Sequence, residues 1–89
     1  MGVQVEFLGR LAAGNRVTVP VEVRWRFRLE PGEVYHVRLE FMEWGSAEFY
    51  ARLQKGGRLT VPIEVVEAAE LERGELMKVR IQIKERNPA

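Results

Sequence analysis

The chain has 89 residues, of which 46% are hydrophobic and 30% charged, the composition of one small globular domain and not of a disordered segment. Fourteen Lys and Arg stand against 13 Glu for a formal net charge of +1, so no gross basic excess marks a nucleic-acid binder. There is no Cys and no Asp, one Ser (Ser46) and one His (His36), which excludes a disulfide, a thiolate zinc site and a Ser–His–Asp triad.

In chain order, Val3, Val5 and Phe7 alternate with Gln4 and Glu6, and Leu11 continues the register, which predicts a half-buried strand. Gly14-Asn15 reads as a hairpin turn, because both residues tolerate positive φ, and Val17 and Val19 as a short second strand. Over 21–28 two readings compete. Val21, Val23, Trp25, Phe27 and Leu29 alternate with charged residues, as in a strand. A helix instead sets Val23 and Phe27 on one side and turns Trp25 away from them. A turn at Pro31-Gly32-Glu33 then leads to a strand with Tyr35, Val37, Leu39 and Phe41 inward and His36, Arg38 and Glu40 outward. Glu43-Trp44-Gly45-Ser46 reads as a tight turn.

The second half runs through the same series. Ala47, Phe49, Ala51 and Leu53 form a strand pattern, Gly56-Gly57 a turn, and Leu59 and Val61 a short strand. Residues 62–70 predict a helix with Ile63, Val65, Val66 and Ala69 on one arc and Glu64 and Glu67 opposite. After Arg73-Gly74-Glu75, Met77, Val79, Ile81 and Ile83 face inward and Lys78, Arg80, Gln82 and Lys84 outward.

This likeness is an internal repeat at a constant offset of 42 residues. Gly14-Asn15-Arg16-Val17-Thr18-Val19-Pro20 returns as Gly56-Gly57-Arg58-Leu59-Thr60-Val61-Pro62. Without a gap, Glu6, Phe7, Arg10, Leu11, Glu22, Val23, Leu29, Gly32, Val37 and Arg38 also meet identical residues. The gapless match favours one backbone for both copies, and hence helix over 21–28. Units of this size cannot bury a core separately. Residues 1–89 are therefore expected to form one domain of two units, 1–43 and 44–89, closed around a shared interior. The predicted fold is mainly β, a six-stranded pseudo-twofold barrel with two short helices.

Gly-Asn-Arg-Val-Thr-Val-Pro with Pro31-Gly32-Glu33, and Gly-Gly-Arg-Leu-Thr-Val-Pro with Arg73-Gly74-Glu75, resemble the motif of the AbrB/SpoVT/MazE family over nearly the whole chain. The resemblance implies a swapped-hairpin DNA-binding barrel, transcriptional regulation and double-stranded DNA as the partner. The family's antitoxins carry an extended tail that wraps a toxin. Only Glu85 to Ala89 follow the last strand here, so a toxin partner is not expected. Two departures point towards the related double-psi barrel. No separate fourth strand fits each unit, and the basic pair early in the helix becomes Arg24-Trp25 in one copy and Val66-Glu67 in the other.

Candidate DNA-contacting residues are Arg16 and Arg58 beside the turns, Arg10, Arg52 and Lys55 before them, and Arg24 in the first helix. Guanidinium forks suit phosphates and guanine edges. The competing reading pairs these arginines with Glu6, Glu22, Glu48 or Glu64 as surface charge. Arg24, Arg26 and Arg28 interleave with Trp25 and Phe27, a basic and aromatic mixture that nucleic-acid surfaces use. An exposed Trp25 would equally mark self-association through the first unit, as in a non-enzymatic binding or assembly module. His36 reads as a surface residue, Tyr35 as core and Tyr50 as outward. Neither catalysis, cofactor nor metal is expected. The absence of a signal-peptide layout and of a long apolar run leads to a cytoplasmic expectation without a membrane partner. Glu as the sole acid and Arg over Lys fit a thermophile.

Overall fold

The computed structural model describes residues 3–43 and 45–83. Trp44 of the expected inter-unit turn, and Lys84 with the short tail after it, lie outside the described residues. Among the described residues the order is β1 (Val3–Arg10), β2 (Arg16–Thr18), α1 (Val21–Arg26), β3 (Val34–Phe41), β4 (Ser46–Arg52), β5 (Arg58–Thr60), α2 (Ile63–Ala68) and β6 (Leu76–Ile83). Within segment 21–28, residues 21–26 are helical, as the repeat favours, and Phe27 and Arg28 form the turn that ends the helix. Its strand-like alternation gives way because Pro20, at φ −55° and ψ 141°, ends the preceding strand and α1 starts at the next residue. Pro62 does the same for α2.

The strands form an antiparallel four-stranded sheet, β1-β6-β3-β4, and a separate two-stranded ribbon, β2-β5. The expectation of six strands and two short helices therefore holds, while the hydrogen-bond ladders stop short of a closed barrel. β2 and β5 are three residues each, and β1 parts from β2 after the single bridge Ala12–Arg16. The predicted turns are present, with Gly14 and Asn15 at φ 79° and 57°, but neither opens into a local hairpin. Each strand pairs instead with strands of the other unit. Val19 N–H donates to Gly57 O, and Val61 N–H to Asn15 O, both at 2.7 Å.

The registers define the symmetry. Val17 faces Leu59 in the ribbon and Arg38 faces Arg80 in the sheet, and both pairs are repeat equivalents. One approximate twofold axis therefore runs through the centres of both ladders. Between them lies one core that includes Val17, Val19, Leu59 and Val61 from the ribbon side and Val37, Leu39, Met77, Val79 and Ile81 from the sheet, all at most 1% exposed. Each such side chain contributes about 1.5–3 kcal/mol by leaving water. Both units contribute side chains to this core.

The helices cover the core with their half-buried sides, Val23 with Phe27 on one and Val65, Val66 and Ala69 on the other. Ile63, expected on the buried arc, is half exposed, because it sits at the first helical position beyond the core's edge. Trp25 is 78% exposed. Both helices end alike. Leu29 N–H reaches Arg24 O and Leu71 N–H reaches Val66 O, while Arg28 and Glu70 take φ of 53° and 52°. This is a Schellman ending with a non-glycine residue in the left-handed position. Gly32 and Gly74, at φ 93° and 88°, turn the chain one step later into β3 and β6.

Candidate nucleic-acid interface

The ribbon buries Val17 and Leu59, so Arg16, Thr18, Arg58 and Thr60 leave on its outer side. The register sets Arg16 opposite Thr60 and Arg58 opposite Thr18. The two repeat-equivalent arginines thus share one face astride the twofold axis. Each folds back over its own turn. A Cβ on Gly14 would lie 3.0 Å from Arg16 Nε, and one on Gly56 3.3 Å from Arg58 Nη2. Lys55 stands exposed on the second turn.

Arg24 reaches this face from the other unit. Its side chain lies across Gly57, where a Cβ would come within 2.5 Å of Nε and 2.7 Å of Cζ. A side chain there would displace Arg24, and φ of 79° is a conformation that glycine adopts most readily. The Nε of Arg24 is buried and has no hydrogen-bond partner among the described residues. Arg26 lies over the Phe27 ring, 5.7 Å from its centroid.

Arg10 and Arg52 are placed differently. They alternate with the buried residues of β1 and β4 and leave on the outer side of the sheet. Arg10 Nη1 donates to Gly74 O at 2.9 Å, and Arg52 Nη1 donates to Gly32 O. Each ties the glycine turn of the opposite unit, alongside the backbone bonds Gly74 N–H to Leu11 O and Gly32 N–H to Leu53 O. They are clamps between units, a use that the repeat offset hides because the partner lies in the other copy.

The two ends of the twofold axis differ electrostatically. On the outer sheet face Arg80 pairs with Glu40 at 2.9 Å and Glu6 at 3.7 Å, and Arg38 with Glu48 and Glu40. Lys78 pairs with Glu6 at 3.1 Å. Arg38, Lys78 and Arg80 thus meet the three carboxylates of Glu6, Glu40 and Glu48. Among the described residues, none of Arg16, Arg24, Lys55 and Arg58 pairs with a carboxylate. The expected partners Glu6 and Glu48 are taken by the sheet.

An open groove of about 800 Å³ lies where α1 leads into β3, lined among others by Phe27, Arg28, Tyr35, His36 and Tyr50. The His36 and Tyr50 rings stand 5.2 Å apart at 58°. Among the described residues no three potential metal ligands converge, and no helix is long and apolar enough to cross a membrane.

No family model matches the chain, and no curated protein matches it. The fold is similar to the solution structure of PHS018 from Pyrococcus horikoshii, with a TM-score of 0.80 at 21% identity over 92% of this chain and 95% of that one. That likeness concerns the fold.

Proposed function

We propose that the chain is a non-enzymatic transcriptional regulator that binds duplex DNA through the outer face of the β2–β5 ribbon. One observation supports this above the others. Among the described residues, Arg16 and Arg58 lie on one twofold-related face without carboxylate partners, while Arg38, Lys78 and Arg80 at the centre of the sheet face pair with glutamates. A two-stranded antiparallel ribbon fits the major groove of B-DNA, and its outward side chains then meet base edges and phosphates. Thr18 and Thr60 add hydroxyls to the same face. The motif resemblance to AbrB/SpoVT proteins falls on the same turns. In this reading the sheet and ribbon are the two parts of a swapped-hairpin barrel, and the site of action is the cytoplasm.

The test is fluorescence anisotropy of a labelled duplex titrated with protein across a salt series. Contact with a few phosphates gives log K falling against log salt with a slope of about −0.9 per phosphate. Absence of binding at low salt overturns the reading. A second reading, an assembly module without DNA binding, draws support from exposed Trp25, Val21 and Ile63. Concentration-dependent sedimentation together with a flat DNA titration would favour it.

A further inference from the structure

We infer that the two ends of the ribbon face are unequal, so that duplex DNA is gripped chiefly around Gly56-Gly57, by Arg24, Lys55 and Arg58, and is bound in one orientation. This rests on the DNA reading above. The twofold axis makes the two ends strictly comparable. Arg58 has Arg16 as its equivalent, but Lys55 has Ala13, Arg24 has Val66, and Trp25 has Glu67. The difference is built into the backbone contact. Gly57 leaves the space that Arg24 occupies, whereas the equivalent turn position is Asn15 and its helix position Val66.

Charge follows the same division. Residues 21–28 carry Arg24, Arg26 and Arg28 against Glu22, while 63–70 carry Glu64, Glu67 and Glu70 with no cation. Phosphates approaching the α2 end meet Arg16 beside these glutamates, whereas those approaching the α1 end meet cations that, among the described residues, have no carboxylate partners. The buried Nε of Arg24 has given up water without gaining a partner, although Arg38 and Arg80, equally short of a hydrogen bond at Nε, sit in ion pairs. Trp25, 78% exposed and next to Arg24 on the same helix, presents a rigid aromatic ring suited to stacking on a sugar or base edge. A protein with a twofold backbone then reads a site that need not be palindromic.

The experiment compares symmetry-equivalent substitutions in the full chain by anisotropy, with thermal unfolding as the folding control. Arg58→Gln should lower affinity on the order of tenfold and reduce the salt slope by about one, while Arg16→Gln, at the end with fewer neighbouring cations, should lower it by only about threefold. Lys55→Gln, at an exposed turn, should also weaken binding and guards against a folding artefact in the first variant. In a Trp44→Phe background, duplex DNA should change Trp25 emission reversibly with salt. Equal losses for Arg16→Gln and Arg58→Gln, or silent Trp25 emission, overturn the inference and leave the DNA reading standing. No binding by the unsubstituted chain overturns the DNA reading itself.

Discussion

Arg38 and Arg80 face each other across the β3–β6 ladder, at the point where the twofold axis leaves the sheet. Two like charges directly opposite destabilise a sheet. Here Glu40 bridges them, 2.9 Å from Arg80 Nη1 and 3.7 Å from Arg38 Nε, with Glu6 and Glu48 on the flanks. Glu40→Gln should therefore lower stability by about 1 kcal/mol in low salt, and the loss should shrink as salt rises. Urea unfolding at two ionic strengths measures both. A loss independent of salt would assign Glu40 a packing role instead.

Among the described residues, every strand ladder joins one unit to the other, and the core is shared. A peptide of residues 1–43 or 44–89 should accordingly be unfolded as a monomer. Mixing the two should restore a dispersed amide spectrum, because the ladders re-form between chains. A folded monomeric half, seen by NMR with sedimentation, would contradict the shared interior.

Arg10 and Arg52 hold the glycine turns of opposite units. Arg10→Ala should lower stability by about 1 kcal/mol, and the double change with Arg52→Ala by about twice that. The salt slope of DNA binding should stay unchanged in the folded variant, unlike that of Arg58→Gln. Thermal unfolding and anisotropy on the same samples separate the two roles.

Glu70 ends α2 in a left-handed conformation at φ 52°, as Arg28 ends α1. An L side chain there costs roughly 1 kcal/mol, which glycine avoids. Glu70→Gly should raise stability by about 0.5–1 kcal/mol against the usual penalty for introducing glycine. Arg28→Gly should do the same. A fall in denaturation midpoint for both would mean that these side chains make contacts worth more than the strain.

Much of this fold is legible in the chain. The period-two runs Tyr35-Val37-Leu39-Phe41 and Met77-Val79-Ile81 give the core face of the central strands, since alternate side chains of a strand must point oppositely. Segment 21–28 is the instructive case. Its strict alternation reads as strand, yet only Val23 and Phe27 pack on the core, and the helix is recovered from the repeat and not from the local pattern. The paired turns were legible as turns but not as crossovers, because turn chemistry fixes φ and says nothing of which strand will lie alongside. The left-handed residues Arg28 and Glu70 carry no such signal, as neither is glycine or asparagine.

For the candidate interface the division is similar. Arg16, Arg58, Lys55, Arg24, Arg10 and Arg52 are all legible in the sequence as candidates. That Arg16 and Arg58 leave on the ribbon, with Lys55 and Arg24 at its second turn, while Arg10 and Arg52 clamp glycine carbonyls depends on pairings far apart in sequence.

By itself, then, the sequence determined the strand count, the doubled architecture, the location of the buried stripes and the poverty of catalytic groups, because periodicity, repeat offset and residue inventory are local or additive properties. The tertiary structure decided that each strand pairs across the units, that glutamates pair with Arg38, Lys78 and Arg80 on the sheet face, and that Arg24 crosses onto Gly57. Those outcomes turn on distances between residues of different copies, and a distance across a twofold axis exists only once the two halves have closed on one core.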